Sequence, residues 1–475
     1  MRRRRETGAE ERSAGMGVAT LAIVLLAAIV ISGVLPALAA RGGKPTTTLI
    51  SRQSNAQGGA GGNASSFDPA VSATGRFVAF DSEADNLGGD TSNFIQAFLY
   101  DRNRKRLQLV ARRNGGGPAN GDSYMNGISG SGRFVVYSTD ATNLGGPIQT
   151  AAGESNVYLF DRKRKRTQLI SRQSKAAGGA GGDGSSFDAA ISPSGRYVVF
   201  ASQADNLSSL DPGGGVAEIY LYDRKRKRVR LVSRQSRAAG GAAADGESER
   251  PTLTPDGRFI AFQTVATNLG GPVLTNPADD EANVYVYDRK RRRADLVSRQ
   301  SASIGGAGGD DLSRHASISD DGRFVAFDSF AANLGPPIAT ESNIYAYDRK
   351  RDRLQLISRR SKAQGGGGAD AVSYTPDISA SGRYVAFDTE ATNLGGPTPA
   401  GDGIGKVYLY DRRKSRVQLV SRRSGRNGAG ADDASFDPSM SPSGRYIAFW
   451  SSAGNLSPAA AGPPFASIYL RDRGR

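Results

Sequence analysis

The sequence predicts an all-β fold, a seven-bladed β-propeller, and two observations carry this prediction. A Gly-Arg pair recurs seven times, at intervals of 57 to 65 residues. Each pair is followed by an apolar segment of β-branched and aromatic residues, as is typical of strands covered on both faces. Seven repeats of this length fit propeller blades better than a sandwich or a solenoid. The glycines of the pairs are Gly75, Gly132, Gly195, Gly257, Gly322, Gly382 and Gly444.

Each repeat contains the signals for four short strands joined as a meander. After the Gly-Arg strand come an Asn-Leu pair, a variable loop and a second strand such as the IYLY of residues 219–222. A charged turn, a third strand, a Gly-rich loop and a fourth strand follow, and tight Ser-Pro-Ser-Gly or Thr-Pro-Asp-Gly turns lead into the next Gly-Arg. Because the Asn-Leu pairs recur in every unit, we interpret them as structural corners rather than ligands.

The two ends of the repeat region predict how the ring closes. Residues 47–54 form a strand with no unit before it, and residues 468–475 end a unit that lacks its last strand. We therefore expect the N-terminal strand to complete the last blade, which removes an exposed sheet edge.

The first 40 residues predict a targeting segment ahead of the propeller. Residues 1–16 form a basic leader and residues 17–40 a signal peptide or membrane anchor, so the propeller spans residues 41–475. The uncharged run of residues 17–35 would span about 28 Å as a helix, close to the thickness of a bilayer core. Pro36 and the small residues Ala37 and Ala39 instead suggest a cleavage site, so cleavage and anchoring both remain open. Both place the propeller outside the cytoplasm, either secreted or anchored in the cell membrane.

The repeats resemble the WD-like propeller repeats of the TolB type. The core of that repeat is matched by Thr-Pro-Asp-Gly-Arg at residues 254–258, Ser-Pro-Ser-Gly-Arg at 192–196 and Ile-Tyr-Leu-Tyr-Asp at 219–223. The resemblance implies a propeller fold over residues 46–475 and a role as a binding platform. Seven units instead of six, and no separate domain ahead of the propeller, distinguish this chain from TolB itself.

Composition excludes several kinds of site. The chain has no cysteine and one histidine, so disulfides, thiol nucleophiles and paired-histidine metal sites cannot form. We predict no metal and no cofactor. Calcium bound by the Asx-rich loops is a weaker alternative, because no 12-residue calcium loop is present.

Positive charge concentrates in the third turn of each unit. These turns, from Asp-Arg-Asn-Arg-Lys-Arg at residues 101–106 to the terminal Asp-Arg-Gly-Arg, carry +21 together, whereas the whole chain carries +16. We predict that they form a basic face, where local charge focuses potential towards an anionic partner. The predicted residues are Arg104, Lys105, Arg164, Lys165, Arg226, Lys227, Arg291 and Arg292. The alternative is that these turns are charged only because exposed hairpin turns commonly carry charged residues, without any anionic partner.

A second candidate site lies where the repeats differ. Near the start of the strand expected to line the channel, equivalent positions carry unlike polar side chains, which favours a ligand site at the channel mouth. Its predicted residues are Asp68, Asp188, Arg250, His315 and Asp437. In the alternative interpretation the three aspartates cap turns and His315 is only solvated. Trp450 is interpreted as a packing residue.

Together these features predict a monomeric, non-catalytic binding scaffold. Its partner would be a protein, an anionic envelope polymer or lipid headgroups, with membrane attachment through an uncleaved N-terminal helix. Nucleic acid is disfavoured because the basic turns lack interleaved aromatic residues. The alternative function is a propeller enzyme, a glycan or lactone hydrolase or lyase, with carboxylates at the channel mouth. No familiar hydrolase motif is present, so we expect no enzyme.

Overall fold

The computed structural model describes residues 43–474, apart from residues 89–93, 149, 152, 212, 274–280, 336–340, 397–402, 426 and 459–464. Within them, 28 strands form seven four-stranded antiparallel sheets, which confirms the predicted all-β, seven-bladed propeller. The predicted basic leader and signal or anchor segment, residues 1–40, lie outside the described residues. None of the helices found in the described part of the chain is long and apolar enough to cross a bilayer.

The four strands of a blade run from the channel outward. The innermost strands are β2 (Ser66–Val71), β6 (Ser123–Ile128), β10 (Ser186–Ile191), β14 (Ser248–Leu253), β18 (Ser313–Ile318), β22 (Ser373–Ile378) and β26 (Ser435–Met440). The second strands are β3 (Phe77–Ser82), β7 (Phe134–Thr139), β11 (Tyr197–Ser202), β15 (Phe259–Thr264), β19 (Phe324–Ser329), β23 (Tyr384–Thr389) and β27 (Tyr446–Ser451). The repeat seen in the sequence is therefore offset by one strand from the blade.

The third strands are β4 (Gln96–Asp101), β8 (Asn156–Asp161), β12 (Glu218–Asp223), β16 (Asn283–Asp288), β20 (Asn343–Asp348), β24 (Lys406–Asp411) and β28 (Ser467–Asp472). The outermost strands are β5 (Arg106–Leu109), β9 (Arg166–Leu169), β13 (Arg228–Leu231), β17 (Arg293–Leu296), β21 (Arg353–Leu356), β25 (Arg416–Leu419) and β1 (Thr46–Leu49). Short 3-10 helices occupy Asn55–Gln57, Asp85–Leu87, Lys175–Ala177, Asp205–Leu207, Arg237–Ala239, Ala302–Ile304, Ala332–Leu334 and Lys362–Gln364.

The seventh blade is built from both ends of the repeat region. β1 is its outermost strand and pairs antiparallel with β28, with Thr46 opposite Asp472 and Leu49 opposite Tyr469. Each innermost strand contacts the innermost strands of both neighbouring blades, so these strands surround a central channel. We call the end of the blades that carries the first and third turns the turn end, and the opposite end the loop end.

Apolar packing between neighbouring blades forms the core. The second and third strands are buried on both faces, and all six residues of β3 are buried. Between the seventh and first blades, for example, Ile468 and Leu470 pack with Val78 and Phe80. Consecutive apolar residues in these strands follow from this burial on both faces.

The repeated Gly-Arg pairs hold the turn end together. Gly132 has a φ of 66°, and a Cβ there would lie 2.1 Å from the Phe77 ring of the preceding blade. The next residue, Arg133, donates two hydrogen bonds to the carboxylate of Asp161 on its own third strand, at 3.0 and 2.7 Å. Only glycine fits both the backbone angle and the contact, so the pair is structural.

The Asn-Leu corners bind the loop end to the Gly-rich loops. The Asn86 amide nitrogen donates to the carbonyl of Gly61 at 2.9 Å, and its amide oxygen accepts from the Asn63 backbone at 3.1 Å. Equivalent side-chain bonds to the carbonyl 25 residues upstream recur at Asn143, Asn206, Asn268, Asn333, Asn393 and Asn455. The corner is structural, as expected, but its partners lie on a different loop rather than on its own backbone.

Candidate functional site

A β-bulge in each innermost strand positions the side chains at the channel mouth, on the loop end. In β2 the pairing with β3 shifts between Phe67 and Ala70, and Asp68 between them has a φ of 47°. Such a bulge leaves one residue unpaired and turns its side chain out of the sheet. The residues with this left-handed conformation are Asp68, Asp188, Arg250, His315, Thr375 and Asp437. A left-handed backbone costs a residue other than glycine roughly 1–2 kcal/mol, so the fold holds these six positions against a local penalty.

The bulged residues surround one cavity. Together with Met125 of the second blade, they line a cavity of about 410 Å³. A cavity of this size lies within the usual range for small-ligand sites. All five residues predicted for the mouth, Asp68, Asp188, Arg250, His315 and Asp437, are brought together there.

The chain's sole histidine is held by a buried carboxylate. His315 Nδ1 lies 2.7 Å from Asp328 Oδ1, and Arg314 Nε donates to the other oxygen of Asp328 at 3.1 Å. Asp328 is fully buried, whereas 18% of the His315 side chain is exposed. The His315 backbone also donates to Gln263 Oε1 at 3.2 Å. His315 is therefore fixed in place rather than merely solvated.

Asp68 at the mouth and the buried Asp81 beneath it form a carboxyl pair. The Asp68 side chain is exposed to the cavity, but the surrounding channel wall partly desolvates it and raises its pKa to about 6; the charge of Asp437 adds to that rise, and a hydrogen bond from Asp81 opposes it. Burial, followed by the charge of Asp68, raises the pKa of Asp81 well above its usual range. Since two close carboxylates cannot both ionise easily, the pair retains a proton near neutral pH.

The rim of the mouth beside Asp68 carries an aromatic and hydroxyl layer, contributed by the seventh and sixth blades. Trp450 Nε1 donates to Asp437 Oδ2 at 2.5 Å, and its ring lies 5.0 Å from Phe436 and 5.7 Å from Phe67. The Thr375 hydroxyl donates to the buried Asp388. Trp450 therefore packs, as interpreted from the sequence, and in addition orients a mouth carboxylate.

Sequence reasoning missed the layer beneath the mouth. Asp81, Asp328 and Asp388 lie at the fifth position of the second strand in their blades, next to the bulge, and Trp450 takes this position in the seventh blade. A signal was available, because this position reads Asp, Ser, Ala, Gln, Asp, Asp and Trp in otherwise apolar strands. Asp377 was also missed. It lies deeper in the channel, where burial raises its pKa to about 6 and Met440 N donates to it at 2.6 Å.

The basic turns lie together on the turn end. In the first six blades, the four residues after each Asp-Arg pair carry +3, +4, +4, +4, +2 and +3, together +20, and every basic side chain among them is exposed. We call these 24 residues the basic face. All eight predicted residues belong to it: Arg104, Lys105, Arg164, Lys165, Arg226, Lys227, Arg291 and Arg292.

The Asp-Arg pair that opens each basic turn belongs to the scaffold rather than to the basic face. Asp161 pairs with Arg133, as described above. Burial opposes ionisation of Asp161, but the hydrogen bond and the charge of Arg133 outweigh it and lower the pKa of Asp161. Arg162 donates to the Gly132 carbonyl at 2.9 Å and stacks on Phe77 of the preceding blade, with its guanidinium carbon 4.4 Å from the ring centre. Such stacking suits a partly desolvated guanidinium. The eight residues predicted for the basic face include neither member of the pair, although the charge counted over the whole turns did include both.

The described residues contain no group of three His, Asp or Glu side chains arranged to hold a metal ion.

Comparison with known proteins supports the fold. No family model and no curated protein matches the chain. Among solved structures, the propeller domain of the trilobed protease from Pyrococcus furiosus is similar at 9% identity and a TM-score of 0.50, over 86% of this chain and 95% of that one. An oligogalacturonate lyase in complex with manganese is similar at 11% identity and a TM-score of 0.49, over 91% and 98%. TolB from Acinetobacter baumannii is similar at 14% identity and a TM-score of 0.38, over 80% and 76%.

TolB and other β-propellers are thus among the solved structures that the chain resembles, and the likeness is one of fold. The expectation that the chain is not an enzyme is corrected by the same comparison. Similar solved propellers include two oligogalacturonate lyases, so the absence of a familiar catalytic motif does not set this chain apart from enzymes.

Proposed function

We propose that the chain is an extracytoplasmic β-propeller, secreted or anchored in the cell membrane, that binds an anionic partner through its basic face. The observation that carries this proposal is the set of 21 exposed lysines and arginines in six turns at one end of the blades, accompanied by one acidic residue, Asp352. Charges gathered in this way add their potentials over a broad surface.

The backbone of these turns supports a functional origin of the charge. Lys105, Lys165, Lys227 and Arg292 have φ values between 48° and 53°. Glycine or asparagine usually takes such positions in hairpin turns, because they avoid a cost of about 1 kcal/mol. Four of the six equivalent turn positions therefore carry a basic residue at this cost, and Asp352 and Ser415 occupy the other two; the prevalence of basic residues supports a role for the charge.

Replacing those four residues with glycine separates binding from folding. We expect the variant Lys105→Gly, Lys165→Gly, Lys227→Gly and Arg292→Gly to unfold at an equal or higher temperature, because strain is relieved. Its affinity for long-chain polyphosphate, measured across a salt series, should fall at least tenfold at low salt.

The matched control removes four charges from unstrained positions of the same turns, by Arg104→Gly, Arg164→Gly, Arg226→Gly and Arg291→Gly. It should lose similar affinity without gaining stability. Unchanged polyphosphate affinity in both variants, or parent binding that is indifferent to salt, would refute the proposal.

A second candidate function, acid–base catalysis at the channel mouth, is favoured by the His315–Asp328 contact. If Nδ1 donates its proton to Asp328, the other ring nitrogen is left as a proton acceptor. Asp68, with its pKa raised to about 6, can supply or accept a proton near neutral pH. Glycans and lactones remain the proposed substrate classes.

This candidate is tested by screening polymeric glycans and lactones for turnover. For any substrate that the protein converts, His315→Gln and Asp68→Asn should each reduce kcat by roughly 100-fold or more. Glu83→Gln is the control, since Glu83 is an exposed carboxylate near the loop end that does not line the cavity. Full activity in both mouth variants would rule this candidate out.

A further inference from the structure

We infer that the basic face lies flat against an anionic phospholipid surface, and that residues 17–35 anchor the chain in the same membrane. This inference rests on the proposed function and narrows its anionic partner to one class. It depends on three features: where the chain enters the propeller, how short the connection is, and how the charges are arranged.

The chain enters the propeller at the end that carries the basic face. Thr46, the first residue of β1, pairs with Asp472, the last residue of β28. Asp472 is the seventh counterpart of the aspartates that open the basic turns, and it forms the same ion pair, with Arg445 at 2.8 Å. Residues that precede Thr46 therefore leave the blade on the turn end.

The connection between the apolar run and β1 is short. Residues 36–45 separate the two, and ten residues span at most about 35 Å when fully extended. If residues 17–35 anchor the chain, a connection of this length limits how far Thr46 can lie from the bilayer. With the basic face against the bilayer, the loop end and the channel mouth face away from it.

The loops between blades extend the positive charge across the turn end. The backbone amide of Lys175 donates to the Lys227 carbonyl at 3.0 Å, and that of Arg237 donates to the Arg292 carbonyl at 3.0 Å. The backbone amide of Lys362 likewise donates to the Ser415 carbonyl at 2.9 Å. All three side chains are exposed, so each adds a cation beside a basic turn.

A flat anionic surface fits this arrangement better than a linear polymer does. The six turns belong to six different blades around the channel, and electrostatic attraction falls off within about 10 Å in ordinary salt. A plane can approach all six turns at once, whereas an extended chain crosses only some of them. Anionic lipid headgroups present such a plane to clustered lysines and arginines.

The test uses the full chain in liposomes, and the absence of cysteine makes site-specific labelling simple. Lys163→Cys places one label on the basic face, and Glu83→Cys places the matched label near the loop end. Each label carries a fluorophore, and the liposomes contain a lipid with a nitroxide on its headgroup. In liposomes containing phosphatidylglycerol, we expect at least threefold stronger quenching at position 163 than at position 83, and loss of that difference in high salt or in pure phosphatidylcholine.

Equal quenching of the two labels, or stronger quenching at position 83, would overturn the inference. Polyphosphate binding separates this failure from failure of the proposed function. If the protein binds polyphosphate in a salt-dependent way but position 163 is not quenched, a soluble or polymeric anion is the partner and only the membrane inference fails. If the protein binds neither polyphosphate nor liposomes containing phosphatidylglycerol, both proposals fail.

Discussion

At the scale of single residues, two rings of strained backbone mark the two candidate surfaces. Within the described residues, the twelve positions other than glycine with positive φ all have values between 45° and 53°. Six of them point into the channel mouth and six lie in the basic turns. Left-handed backbone is costly for these side chains, and such strain concentrates where a protein uses the residues. Left-handed residues are common in tight hairpin turns, so the strain in the basic turns could be expected from the sequence. Nothing in the sequence around Asp68 predicts a β-bulge.

A buried acid in the third blade provides a test of stability at this scale. Glu218 is fully buried, and burial raises its pKa to about 8. The folded state therefore holds the proton more tightly than the unfolded chain, whose pKa is about 4.5. Stability should fall as pH rises from about 4.5 to about 8. We expect Glu218→Gln to be more stable than the parent at pH 9, by on the order of 2–4 kcal/mol, with the difference vanishing below pH 4.5 in denaturant titrations.

The first blade offers the reverse experiment, because Gln96 occupies the same strand position and is fully buried. In the Gln96→Glu variant, the new buried carboxyl should make stability fall as pH rises. Gln96 does not titrate, so the parent has no such pH dependence at this position. If both variants keep the pH dependence of the parent, Glu218 does not hold a proton in the folded state.

At the scale of structural elements, the Gly-rich loops protect the outer edges of the sheets. The loop that follows β9 in the second blade reaches the outermost strand of the third, β13. There the Ser174 hydroxyl accepts from the Val229 amide at 2.9 Å. Ser54, Ser301 and Ser361 act in the same way on Leu107, Leu354 and Val417. An exposed edge strand invites pairing with other chains, and these loops cover the edge. This contact explains the last serine of Ser-Arg-Gln-Ser at residues 51–54, 171–174 and 298–301 and of Ser-Arg-Arg-Ser at 358–361.

Removing one of these hydroxyls should open one edge. We expect Ser174→Ala to increase the hydrogen-exchange rate of the Val229 amide roughly five- to tenfold, because a hydrogen bond worth about 1 kcal/mol is lost. The Leu354 amide, held by Ser301 at 2.8 Å, should keep its parental rate and serves as the internal control. An unchanged rate at Val229 would show that the loop backbone alone protects the edge.

At the scale of the whole molecule, the sequence predicts the structural residues that recur in every blade. It does not predict side-chain contacts that depend on the strand register at the β-bulges. Seven copies of each Gly-Arg and Asn-Leu pair made the blades recognisable, since a residue needed in every blade repeats with the blade. Asp328 and Asp388 lie among buried apolar neighbours at a position whose residue does not repeat from blade to blade, and their contacts with His315 and Thr375 depend on the register shift at the bulge. The five mouth residues could be predicted because they lie at equivalent positions with unlike chemistry.

The charge on the turn end was also predicted in part. The charge counted over each turn includes residues such as Asp161 and Arg162, but Asp161 pairs with Arg133 and Arg162 stacks against the preceding blade. Such roles depend on contacts between blades, which a linear sequence does not display. The exposed residues of the first six turns carry +20, because the opposite charges of each Asp-Arg pair cancel; the +21 counted from the sequence also includes +1 from the terminal Asp-Arg-Gly-Arg turn.

The seventh blade gives the molecule a mechanical weak point. β1 begins and β28 ends at the same end of the sheet, where Thr46 faces Asp472. Tension applied between residues that precede Thr46 and residues that follow Asp472 therefore loads the backbone hydrogen bonds one after another, as in unzipping, rather than all together in shear. The other six blades are each built from one continuous segment, so force applied in this way reaches them only after β1 has separated from β28. Under load, the ring opens at the joint between its own two ends.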